Sequence, residues 1–130
     1  MRDLTRPFKA LADPNRLRIL NLLAEKPLCV CEIASVLELA VSTVSKHLSI
    51  LRDAGFITDE KDAKWVNYSL SSAANPPLIA DLLALIRRRL HNDPQFKTDR
   101  SKAAAVDRNR ICFIESSRRE HNQLLKGVNV

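Results

Sequence analysis

The chain has 130 residues, of which 45% are hydrophobic and 28% charged, with a formal net charge of +6, three cysteines and only two glycines. That composition gives one globular domain. It leaves too few glycines for a phosphate-cradling loop, no run of about 18 apolar residues to span a bilayer, and no apolar segment behind the basic start to act as a secretory signal. A cytoplasmic protein is therefore expected. Three cysteines are too few for a disulfide scaffold, and an odd number points to free thiols, ligands or redox sensors. Residues 1–86 carry ten basic and ten acidic side chains, so the whole positive surplus lies in residues 87–130. A basic C-terminal third suits DNA, RNA, an acidic partner or solubility alike.

Helical spacing of Leu4, Phe8 and Leu11 predicts a first helix over 4–12. Asp13-Pro14 makes a helix start, with Asp as cap and Pro in the first turn. Leu17, Ile19, Leu20, Leu22 and Leu23 then give a buried helix that ends at Lys26-Pro27. A short helix over 31–39 follows, with Ile33, Val36, Leu37 and Leu39 apolar. The next runs over 41–54, with Val44, Leu48 and Leu51 on one face and Gly55 as its C-terminal cap. The period then drops to two. Residues 56–58 and 65–70 read as strands of a β-hairpin. The polar stretch 59–64 between them lacks an Asn-Gly or Asp-Gly turn, so a longer, mobile loop is expected there. After the break at Asn75-Pro76-Pro77, residues 78–90 form a strongly apolar fifth helix. Beyond His91 the chain is a polar, basic tail over 92–130. Its one apolar cluster surrounds Cys112, and it reads as helical around 102–114 and frayed after Ser116. The expected division is thus a folded unit over 1–91 and a tail over 92–130.

Two short helices joined by about four residues, followed by a charged hairpin, make a winged helix-turn-helix in a mainly α fold. The second helix presents Ser42, Thr43, Ser45, Lys46 and His47 at its start, with Arg52 near its end. Lys61 and Lys64 lie toward the tip of the hairpin. Hydroxyl and basic side chains at the front of such a helix reach base edges and phosphates, and helix N-terminal amides favour phosphate. The same residues suit a merely solvated face; the hairpin immediately downstream turns the reading to double-stranded DNA.

Four blocks carry a family resemblance: FKALADPNRLRILNLL (8–23), PLCVCEIASVL (27–37), STVSKHLSILRDAGFI (42–57) and KWVNYSL (64–70). In this order they resemble the arsenical-resistance repressor (ArsR/SmtB) family over roughly residues 5–91. The resemblance implies a homodimer that sits on an operator and leaves it when a toxic metal or metalloid binds. The chain departs from the family pattern at Glu38, where Gly is usual, and at Ala40 and Val41, where Ser or Pro and then Gln are common. The helix over 78–90, with Leu4, Phe8 and Leu11 of the first helix, is read as the dimer core; packing within one chain is the alternative use of that apolar arc. A two-fold dimer spaces its recognition helices by about 34 Å, one turn of B-DNA, and so predicts an imperfectly palindromic operator.

Cys29 and Cys31 match the family's CVC-type inducer motif. Residues two apart on a regular helix point about 200° from each other, so the two thiols converge only where the chain is entering the helix. Soft thiolates select trivalent arsenic or antimony, thiol-loving divalent metals or copper(I). The family's third cysteine commonly stands where this chain has Ala34. Cys112 therefore completes the set, from the same chain or its partner, or else an exogenous thiol or water does. The family's second metal site is not expected, because Leu83 replaces a histidine near Asp81. His91 stands alone, and His121 is read as a solvated tail residue. The sequence gives no Cys–His–acid arrangement for an enzyme. A redox or persulfide switch through a Cys31–Cys112 bridge is the alternative to metalloid sensing.

Overall fold

A computed structural model describes residues 2–72 and 76–106; Cys112 and the apolar cluster around it lie outside the described residues. The element order is α1 (Arg2–Leu11), α2 (Pro14–Leu23), β1 (Leu28–Cys29), α3 (Val30–Leu37), α4 (Val41–Asp53), β2 (Ile57–Asp62), β3 (Trp65–Leu70), α5 (Pro77–Leu90) and α6 (Pro94–Ala105). The sheet is antiparallel with order β1-β3-β2. Ile19, Leu22, Leu28, Ile33, Val44, Leu48, Leu51, Phe56 and Ile57 fill one core at the meeting of α2, α3, α4 and the sheet. No single helix among the described residues is long and apolar enough to cross a membrane.

Local signals set the helix ends. Asp13 Oδ1 accepts hydrogen bonds from the Asn15 and Arg16 amides at 2.8 and 3.3 Å, with Pro14 in the first turn. At the end of α4 the Gly55 amide bonds Arg52 O and the Phe56 amide bonds Leu51 O, both at 3.0 Å. This is a Schellman motif, and it needs the left-handed φ of +91° that Gly55 adopts. The motif drops Phe56 straight into the core.

The structure corrects the hairpin. The ladder runs from Ile57↔Leu70 to Asp62↔Trp65, so the wing is long and closes in two residues, Ala63 and Lys64, with Ala63 at φ 53°. Cross-strand hydrogen bonds carry the strands through residues too polar to register as β from composition. Strand β1 was not legible either: two residues give no period, and they are extended because β3 pairs with them.

The larger correction concerns the tail. Residues 94–105 are a helix docked on α2 and α3, beginning well before the helix expected around 102–114, of which residues 107–114 lie outside the described residues. Asp93 caps it through Gln95 and Phe96, with Pro94 in the first turn, repeating the device at Asp13-Pro14. Phe96 and Ala103 are buried, and Asp99 is fully buried in a two-pronged pair with Arg18, at 2.8 and 3.0 Å. Asn21 Nδ2 donates to Phe96 O, and Arg100 donates to Asn21 Oδ1 and His91 O. A boundary at residue 91 would cut through this packing.

The apolar arc of α5 is used mostly within the chain. Ile79 and Leu82 are buried, and Leu78, Leu83 and Ile86 pack against the core, as does Leu11 of α1. Leu4, Phe8 and Leu85 stay exposed, at 49%, 51% and 41%.

Candidate nucleic-acid interface and thiol site

Val44, Leu48 and Leu51 anchor α4 inward, which turns its opposite side to solvent. Ser42, Thr43, Ser45 and Lys46 are exposed there. The cap residue Ala40 gives no side-chain hydrogen bond to the first-turn amides, which suits a phosphate at that helix end. Sequence reading missed Ile50, 38% exposed. It stands four after Lys46 and seven after Thr43, on the same face, and that spacing was the available signal.

Two expected DNA-facing residues have partners inside the protein. His47 is half-buried, its Nδ1 3.2 Å from the Arg16 guanidinium. Arg52 bonds Asp59 of β2 at 3.1 Å and lies 3.9 Å from Asp53. It fastens the wing to the recognition helix rather than offering an uncommitted charge. The wing sorts its charges by alternation. Asp59 and Lys61 share a face with Ile57, the side that meets α4, while Glu60 and Asp62 take the other. Lys64, in the turn, stacks over the Trp65 ring at 5.0 Å.

Cys29 closes β1, opposite Asn67 of β3, and is at once the N-cap of α3. Its backbone is extended, at φ −86° and ψ 166°, so the angular rule for a regular helix does not separate it from Cys31. Glu32 Oε1 accepts the Cys29 N–H at 3.0 Å, and the Cys29 side chain faces the Glu32 amide, a capping box with sulfur in place of oxygen. Cys29 is buried and Cys31 half-exposed. Among the described residues no three His, Cys, Asp or Glu side chains gather in a metal-holding group.

Electrostatics fix the supports rather than the exposed face. Partial burial pushes the Asp13 carboxyl up, but the hydrogen bonds from the Asn15 and Arg16 amides and the Arg16 guanidinium nearby outweigh it and hold it below its ordinary value of 3.8. The hydrogen bond to Asp99 outweighs desolvation at Arg18 and holds its proton more firmly.

An amphipathic helix presented after a tight turn, beside a charged antiparallel wing, defines a winged helix-turn-helix DNA-binding regulator. A family profile described as "Bacterial regulatory protein, arsR family" matches residues 13–59. The arsenical resistance operon repressor of Escherichia coli K12 is 37% identical over 103 residues, 78% of this chain and 80% of that protein. The arsenic resistance transcriptional regulator ArsR1 of Pseudomonas putida KT2440 is 45% identical over 74 residues, covering 54% and 58%. The solution structure of the homodimeric winged helix-turn-helix domain of Mb0332 from Mycobacterium bovis superposes with a TM-score of 0.60 at 27% identity, covering 72% of this chain and 82% of that one. The chain belongs to the ArsR family of transcriptional repressors.

Proposed function

We propose that this repressor is a cytoplasmic homodimer that releases an imperfectly palindromic operator when trivalent arsenic or antimony binds the thiolates of Cys29 and Cys31. One observation carries the reading. The segment that holds the cysteines also supports both DNA-facing elements: β1 pairs with β3 of the wing, and α3 packs on α4. A trivalent metalloid supplies strong bonds to sulfur. Cys29 is buried and occupied as a cap, so it becomes a ligand only by leaving that place. Glu32 then loses the capping box, the first turn of α3 opens, and the seating of α4 and the wing shifts. A coupling of about 1–3 kcal/mol between ligand and DNA is enough for regulation. The names of two relatives refer to arsenic, which favours a metalloid over zinc, as does the pair of soft donors.

Cys112 is the proposed third ligand. The docking of α6 on α3 favours the same chain as its source. Cys112 is six positions beyond Val106, an extended reach of about 20 Å, while the eight residues of α3 span about 12 Å. Ser42, Thr43, Ser45 and Lys46 are the proposed readers of the operator, with Lys61 and Lys64 on the phosphates.

Fluorescence anisotropy of labelled operator on the full-length protein tests this. Arsenite or antimonite should release wild type and should fail to release Cys29→Ser or Cys31→Ser; cadmium and zinc serve as comparison ions. Release of either serine variant at wild-type arsenite concentration would overturn the proposal. Lys64→Ala, which removes one phosphate contact from each protomer of the dimer, should lower the slope of log affinity against log salt by about 1.8, whereas Ser42→Ala and Thr43→Ala should change sequence preference.

A further inference from the structure

Arg16 joins three helices. From the first turn of α2 its Nε donates to Ala10 O at 2.6 Å and its Nη2 to Lys9 O at 3.3 Å. Those carbonyls lie in the last turn of α1, at the negative end of its dipole. Its Nη1 is 3.2 Å from His47 Nδ1 on α4 and 4.0 Å from Asp13 Oδ2. A guanidinium has only donors and keeps its charge, so Arg16 donates and His47 Nδ1 accepts. An imidazole accepting at Nδ1 carries its proton on Nε2. Arg16 thereby selects one tautomer and one ring orientation for a half-buried histidine beside Lys46, in the second turn of α4.

We infer that Arg16 is a positioning residue for operator binding: it fixes His47 as the Nε2–H tautomer, and that N–H donates to a DNA phosphate next to Lys46. The role rests on α4 being the recognition helix. It goes further in giving a specific donor to a residue whose visible contact is internal, and in linking α1 to the DNA through the Arg16–His47 pair. His47 on this account is a neutral donor, and Arg16 acts only through it.

Nitrogen-15 NMR of the full chain, labelled at histidine, reads the tautomer directly, with a His47 variant assigning its signals among the three histidines. Wild type should show a bare Nδ1 and a protonated Nε2. Arg16→Lys, which keeps the charge and loses the fork, should give mixed tautomers. In operator titrations at fixed salt, His47→Leu should bind about tenfold more weakly, equivalent to about 1.4 kcal/mol. His47→Gln returns an N–H near the Nε2 position and should recover most of that loss. His47→Asn returns only the acceptor near Nδ1 and should not. Arg16→Lys combined with His47→Leu should be no weaker than His47→Leu alone. Rescue by Asn instead of Gln would reduce His47 to a strut, and a protonated Nδ1 or undiminished binding by His47→Leu would also overturn the inference. Lys46→Ala separates the two levels. If it weakens binding while His47→Leu does not, the positioning role falls and the recognition helix stands; if neither weakens binding, the recognition helix itself is misassigned. Because Arg16 also fastens α1, the Gln, Asn and Leu comparison at His47 carries the test even if Arg16→Lys unfolds.

Discussion

At the turn between α3 and α4, Glu38 sits at φ 58° and ψ 44°, a left-handed conformation that strains any residue with a Cβ. Its ion pair with Lys102 spans 3.5 Å between exposed side chains and contributes little. Glu38→Gly should therefore stabilise the fold by about 0.5–1 kcal/mol, measured by urea denaturation; a loss of stability would mean that the turn depends on the glutamate side chain. Asp13 supplies a pH dependence of definite sign. Its carboxyl titrates lower folded than unfolded. Its contribution is complete above the ordinary carboxylate value and disappears as pH falls through the folded one. Asp13→Asn keeps a good cap and should flatten the acid side of the stability profile below about pH 4. An unchanged acid limb would place the linkage elsewhere.

Among the elements, α6 is the one whose role depends most on partners distant in sequence. Asp99 is fully buried, whereas the Arg18 side chain keeps 18% exposure and a second acceptor in Asn15. The two halves of the pair should then differ. Arg18→Met leaves a buried carboxylate without its cation, with Gln95 Nε2 at 2.9 Å as its remaining side-chain donor, and should cost about 3–5 kcal/mol. Asp99→Leu leaves a cation that can rehydrate and should cost about 1–3 kcal/mol. Equal losses in denaturant titrations would contradict the asymmetry. The wing shows the same principle on the surface. Arg52 spans from α4 to Asp59 of β2, so Arg52→Ala should loosen the wing as well as remove a charge.

For the whole molecule, the exposed apolar set Leu4, Phe8 and Leu85 is what remains of the proposed dimer face once α5 has packed inward. Phe8→Glu and Leu85→Glu should give folded monomers in sedimentation velocity, with operator affinity reduced at least tenfold; dimers that persist would move the interface to another face. Truncation after residue 91 should instead destabilise the monomer unit, because it removes Phe96 and Ala103 from the core and leaves Arg18 and Asn21 without their α6 partners. A melting temperature unchanged by the truncation would mean that α6 contributes nothing to the fold.

Chain order, the apolar faces of α2 and α4, the cap at Asp13, the glycine at position 55 and the cysteine pair at a helix start were all legible in the sequence, because each depends on residues within about two turns of one another. The fold class and the exposed hydroxyl and basic face of α4 follow from those signals. Tertiary structure alone made a strand of Leu28–Cys29, since two residues become extended only when β3 offers hydrogen bonds. It also turned a polar segment into α6, since Asp99 is tolerable in the interior only opposite Arg18, 81 residues away. In the same way it drew His47 and Arg52 back onto Arg16 and Asp59. Periodicity reports which side of an element is apolar, whereas the partner of a charged or polar group is chosen by whatever the folded chain brings within about 3 Å.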